Sequence, residues 1–150
     1  MEIPAQLLKK IDEAISHYPV SKRSASLPLL HLFQEHFGYI SEEAIRWIAA
    51  KLELQPIHIT ELVTFYPMFR REPTGRHHIR ICRTLSCMLA GAEELKAKLN
   101  EVVETSDGKF SLEWVECLAS CGTGPVMMVN DDFYEAVTAD KISNILSKYK

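Results

Sequence analysis

Four cysteines fall in two close pairs with none left over: Cys82 and Cys87 are spaced C-x4-C, Cys117 and Cys121 C-x3-C. Thiolates are soft ligands, and a pair of them can grip one side of an inorganic centre. Two chemistries take four thiolates. A [2Fe–2S] centre commonly does so, with C-x4-C spacing familiar from plant-type ferredoxins, and a structural zinc ion does so in tetrahedral geometry. The absence of C-x-x-C speaks against dithiol exchange. The residues around the pairs are small: Thr84 and Ser86 within the first, Ala119 and Ser120 within the second, then Gly122, Gly124 and Pro125. Small residues let backbone N–H groups approach an anionic centre closely. Arg83, beside Cys82, would raise the potential of a cluster and Glu116, beside Cys117, would lower it, so these neighbours do not fix the potential.

Histidine replaces two thiolates in Rieske centres, but His77 and His78 precede Cys82 within an apparent strand and follow no cysteine in a ligand loop. His17, His31, His36 and His58 lie in helical segments and read as surface or core-edge residues. The aromatic stretch Thr64–Phe69 suggests a docking surface, yet it ends a helix and its apolar residues suit packing. Asp131 and Asp132 read as turn residues.

The elements that must position the cysteines follow from periodicity. The first seventy or so residues are helix after helix: Leu7, Leu8, Ile11, Ala14 and Ile15 share a face, and Leu27 to Phe37 continues the pattern until Gly38. Ser41 ahead of Glu42 and Glu43 is an N-cap signal, and Ile45, Ile48, Ala49 and Leu52 form the next stripe. Ile59, Leu62 and Val63 supply a further short helix after Pro56. Arg70–Gly75 then marks a connection, which divides the chain into 1–74 and 75–150. A helical segment of that length has a small core of its own, so it is expected to pack on the second domain or on a partner.

Residues 77–82 alternate as a strand with Ile79 and Ile81 on one side. Met88 to Val103 reads as one helix with Leu89, Ala92, Leu95 and Leu99 inward. Asp107–Gly108 is a turn, and Phe110 to Val115 a second strand ending near Cys117. Residues 126–130 and 133–137 form a hairpin, and 140–149 a closing helix. This order, strand, helix, strand, hairpin, helix, is an α/β arrangement with a crossover that leaves both cysteine pairs at strand ends, where such sheets place ligands.

Composition narrows the classes further. The chain has 150 residues, 47% hydrophobic and 25% charged, with a formal net charge of −3. No basic surface recommends a nucleic-acid partner. The apolar runs are far shorter than the twenty or so residues a membrane span needs. The N-terminus, with Glu2, Asp12 and Glu13, resembles neither an export signal nor a transit peptide, so a cytoplasmic protein is expected. In a reducing compartment four cysteines favour metal or redox chemistry over disulfides.

Several segments are similar to the NuoE-like subunits of NADH:quinone oxidoreductase (complex I), the thioredoxin-like [2Fe–2S] ferredoxins. They are residues 38–41 with Glu43 and Ala44, Thr64–Tyr66 with Met68 and Phe69, Ile79–Cys82 leading to Cys87, and above all 116–135. The resemblance covers nearly the whole chain. It implies an N-terminal helical bundle followed by a thioredoxin-like domain, and a [2Fe–2S] cluster on Cys82, Cys87, Cys117 and Cys121. It also implies a partner flavoprotein that binds FMN and oxidises NADH, at the cytoplasmic face of a membrane-bound complex. Related chains serve NAD-linked hydrogenases and formate dehydrogenases. The sequence departs from the family in a somewhat shorter stretch between the pairs and in Ala119–Ser120, where Gly–Ala is commoner; neither removes a cysteine. By analogy with thioredoxin, a cis bond before Pro125 is raised as an option. A zinc-stabilised interaction module is the competing reading from a different class.

Overall fold

The computed structural model describes all residues, Met1–Lys150. It divides into two compact units, Met1–Pro73 and Thr74–Lys150.

The first unit is built of four helices: α1 (Ala5–Ser16), α2 (Ser26–Phe37), α3 (Glu42–Lys51) and α4 (Pro56–Phe65). Ser41 caps α3, its hydroxyl accepting from the Ala44 N–H at 3.1 Å, and Pro56 opens α4 where a missing N–H costs nothing. Ile11, Leu29, Leu30, Phe33, Ile45, Ile48 and Ile59 close a shared core. Burying each is worth about 1.5–3 kcal/mol relative to exposure. Gln34 fastens the segment after α4, donating to Met68 O at 2.8 Å and accepting from Arg70 N at 2.7 Å. That segment is mixed: Phe69 is buried, while Phe65 and Met68 face solvent.

The second unit carries the cysteines. Its elements are β1 (His77–Cys82), α5 (Leu85–Leu89), α6 (Ala92–Glu104), β2 (Phe110–Val115), β3 (Met127–Val129), β4 (Asp132–Tyr134) and α7 (Ile142–Leu146). The sheet order is β2-β1-β3-β4, with β1 parallel to β2 and the other neighbours antiparallel. Register aligns Leu112, Ile79 and Val129 in one row and Trp114, Ile81 and Met127 in the next. Strand alternation turns both rows to one face, where they share a core with Leu95 and Leu99 of α6 and Ile142, Ile145 and Leu146 of α7. Bare backbone matters at Gly75, where a Cβ would stand 2.7 Å from the Phe110 carbonyl carbon.

The expected single helix over 88–103 is two helices. Gly91 adopts φ 102, a conformation other residues reach only with strain, and as the N-cap of α6 it separates that helix from α5, which ends at Leu89. Leu89, expected to point inward, is consequently 81% exposed. The closing helix is shorter than expected, a tight turn at Ala139–Lys141 followed by α7. The second hairpin strand ends at Tyr134 rather than continuing to 137. The Gly124–Pro125 bond is cis. No helix is long and apolar enough to cross a membrane.

Candidate metal centre

The first cysteine pair is built into the end of the sheet. Cys82 is the last residue of β1, and its N–H reaches Val126 O at 3.1 Å, while Arg83 N–H reaches Val115 O at 2.9 Å. Both bonds extend the strand pairing past the cysteine, so its backbone is fixed by two neighbours. Cys87 lies inside α5, which follows after two residues. Cys82 is 2% and Cys87 1% exposed.

The second pair sits on the loop leaving β2, the strand parallel to β1, so both loops depart from the same edge. Cys117 and Cys121 are exposed. Ala119 takes φ 59, which bends the loop, and its N–H donates to Cys117 Sγ at 3.3 Å. Cys121 opens a tight turn through Thr123.

The two loops meet at sulfur. Cys82 Sγ lies 3.1 Å from Thr84 Oγ1 and 3.7 Å from Glu116 O, the carbonyl just ahead of Cys117. Burial would raise the Cys82 thiol, but the Thr84 hydroxyl and the N–H groups of Thr84 and Leu118, with Cys87, outweigh it and bring it below its ordinary value. Cys87 moves the other way. Burial pushes it up first, assisted by Cys82 and by negative charge at Cys82 and Cys121, against a Val126 N–H that favours its thiolate. Leu118 and Cys121 therefore act on the first pair from the second loop. A Cβ at Gly124 would touch Cys87 Sγ at 3.4 Å, so the segment after Cys121 also runs directly against the first pair.

Arg83 and Glu116, which the sequence sets against each other as tuning charges, pair with one another at 3.2 Å across the seam between the loops. His78 lies at the opposite end of β1, roughly 13 Å along the strand from Cys82 at ~3.3 Å per residue. Its ring nitrogens are engaged 2.8 Å from Ser111 Oγ and 2.8 Å from Glu113 Oε2. His77, one residue further from Cys82, has its ring nitrogens 3.3 Å from Lys150 O and 3.1 Å from Asn130 Nδ2, so neither histidine stands at the cysteine loops as a Rieske arrangement needs. Sequence reading passed over Glu135, whose carboxylate takes hydrogen bonds from Ser120 and Thr123 on both sides of Cys121. No local motif signals a contact between residues that far apart in the chain.

A family model described as thioredoxin-like [2Fe–2S] ferredoxin matches residues 11–150. The chain belongs to this family. It is similar to an NADH-quinone oxidoreductase subunit of Aquifex aeolicus, 38% identical over 99% of this chain and 96% of that one. It is likewise similar to an NADH-quinone oxidoreductase subunit of Thermus thermophilus, 40% identical over 91% of this chain and 80% of that one. Among solved structures, the NAD+-reducing [NiFe]-hydrogenase in its air-oxidised state shares the fold, with TM-score 0.66 and 20% identity over 83% of this chain and 22% of that chain.

The donor set fits the family's cofactor. Two sulfide-bridged irons need only two thiolates each, and the thiols here occur as two pairs on adjoining loops.

Proposed function

We propose that Cys82, Cys87, Cys117 and Cys121 hold the [2Fe–2S] cluster and that the chain is an electron-transfer subunit of an NADH–quinone oxidoreductase. Its electron partner in this reading is a flavoprotein subunit that binds FMN and oxidises NADH. The observation that carries the ligand assignment is the meeting of the loops at Cys82 Sγ, 3.7 Å from Glu116 O. The relatives named above are subunits of such a complex and are matched over 96% and 80% of their lengths, which supports the assembly.

A [2Fe–2S] cluster supplies a one-electron acceptor and donor beside a flavin that receives electrons from NADH in pairs. The chain's own residues hold and shield that centre. Cys82 and Cys87 are closed off from water on the sheet side, while the exposed Cys117 and Cys121 place the outer side at the surface, where an electron partner docks. The N–H groups of Thr84, Leu118 and Val126 favour negative charge on the sulfurs. The chain needs no substrate site of its own, because NADH oxidation belongs to the assembled complex. That complex is read as lying at the cytoplasmic face of a membrane, with this chain held there by other subunits.

Purification from the native host through a tag on this chain tests the reading. It should recover an FMN-containing, NADH-oxidising complex whose reduced form gives a [2Fe–2S] EPR signal. Recovery of a hydrogenase or formate dehydrogenase would reassign the complex. A colourless chain carrying zinc would overturn the redox role.

A further inference from the structure

The second cysteine loop is not bonded on both sides by sheet strands as Cys82 is; it is held from one side, by the segment just after β4, through a side chain and through backbone bonds. Ser120 Oγ and Thr123 Oγ1 both donate to the same oxygen of Glu135, and the two hydroxyl oxygens stand 2.7 Å apart. These residues bracket Cys121. The backbone follows the same line: Ala136 N–H donates to Thr123 O at 2.7 Å and Val137 N–H to Pro125 O at 3.0 Å. Ala136, immediately after Glu135, takes φ 45.

The charge at this point also differs from its neighbour. Glu116 is matched by Arg83, whereas no ion pair engages Glu135; its partners are hydroxyls, which orient a carboxylate without cancelling its charge. Those hydroxyls, Ser120 first and Thr123 second, hold its carboxyl below the usual range, so it is ionised at neutral pH.

We propose that Glu135 is a positioning residue for the second pair of cluster ligands, clamping the loop around Cys121 and setting a fixed negative charge there that holds the reduction potential down. This rests on the ligand assignment proposed above. Adding an electron to an anionic centre is opposed by a nearby anion, and net charge and local hydrogen bonding are among the terms that set such potentials. The site faces solvent, so the charge effect is screened by salt while the clamp is not.

The full-length protein carrying Glu135→Gln, Glu135→Ala or, as a charge control, Glu101→Gln tests it. Glu101 lies near the far end of α6 and pairs with Lys98. Three readouts are needed: midpoint potential by EPR-monitored titration at low and high ionic strength, EPR line shape, and the lifetime of visible absorption under an iron chelator. Glu135→Gln keeps an oxygen to accept both hydroxyls but loses the charge. It should leave the line shape unchanged and move the potential to more positive values, by less at high salt. Glu135→Ala loses the clamp and should show an altered line shape and several-fold faster bleaching. A Glu135→Gln potential equal to that of Glu101→Gln, or a Glu135→Ala cluster with wild-type line shape and lifetime, would overturn the proposal while leaving the ligand assignment standing. A wild-type protein that binds no cluster would overturn both.

Discussion

The two cysteine loops leave the same sheet edge but are held by different physics. The loop from β1 is an extension of the sheet: its first cysteine is backbone-bonded on both sides, its second lies in a helix, and both thiols are buried. The loop from β2 turns on a left-handed Ala119, exposes both thiols, and is tied down on one side only, by a carboxylate bound to two hydroxyls and by backbone bonds from Ala136 and Val137. One half of the site is thus formed by folding itself. The other half is exposed, and its charge and part of its anchoring depend on side chains that core packing does not dictate.

Substitution of the cysteines should break this contrast most visibly. Cys82→Ser and Cys87→Ser place a harder, shorter ligand in a rigid, buried frame and should abolish the visible spectrum of the cluster. Cys117→Ser and Cys121→Ser lie on a loop with room to adjust and should leave a weakened spectrum with a shifted EPR signal. Equal loss in all four variants, read by absorption and EPR after identical reconstitution, would erase the distinction between the loops.

Packing beneath the first loop comes next. Leu95 is buried in the same core as Cys87 and Ile81, so Leu95→Ala should cost about 2–5 kcal/mol in denaturant unfolding. Gly91→Ala forces a side chain into φ 102, where strain of about 1–3 kcal/mol is expected. Because Gly91 joins α5 to α6, that variant should also loosen the cluster, seen as faster loss to chelators. A Gly91→Ala protein with wild-type stability and cluster lifetime would show that the turn is not what orients α5.

Accessibility sharpens the same comparison without mutation. In metal-free protein, iodoacetamide should modify Cys117 and Cys121 well before Cys82 and Cys87, as mapped by peptide mass spectrometry; loading the cluster should protect all four. Uniform labelling would mean that the first pair is not held closed without metal. The smallest effects belong to the seam between the loops. Arg83 and Glu116 are both largely exposed, so removing either should change stability by no more than ~1 kcal/mol. Arg83→Gln should lower the cluster potential and Glu116→Gln raise it, and the double variant should lie near wild type. Shifts of the same sign in both single variants would contradict the pairing.

Much of the first loop was legible in the sequence because it follows period and spacing. Alternation at Ile79 and Ile81 places the strand, and the strand delivers Cys82 to the sheet end; Ser41 ahead of two glutamates marks the start of α3 as plainly. The second loop was legible only in its cysteines. The Glu135 clamp and the Arg83–Glu116 pair join residues distant in the chain: parallel register sets the end of β1 beside the end of β2 for the ion pair, and the antiparallel hairpin of β3 and β4 returns Glu135 beside the segment before β3 for the clamp. The break at Gly91 was hidden for another reason. Leu89, Ala92, Leu95 and Leu99 satisfy a continuous helical stripe, and periodicity does not reveal that one glycine takes a positive φ and turns Leu89 out to solvent.

The central claim is that four thiolates from these two loops share one binuclear iron–sulfur centre. Iron, acid-labile sulfide and zinc analysis of the anaerobically purified full-length chain, with EPR before and after dithionite, tests it most directly. The account predicts iron and sulfide in equal amounts, no stoichiometric zinc, and a signal that appears only on reduction. Stoichiometric zinc in a colourless, EPR-silent protein would contradict it.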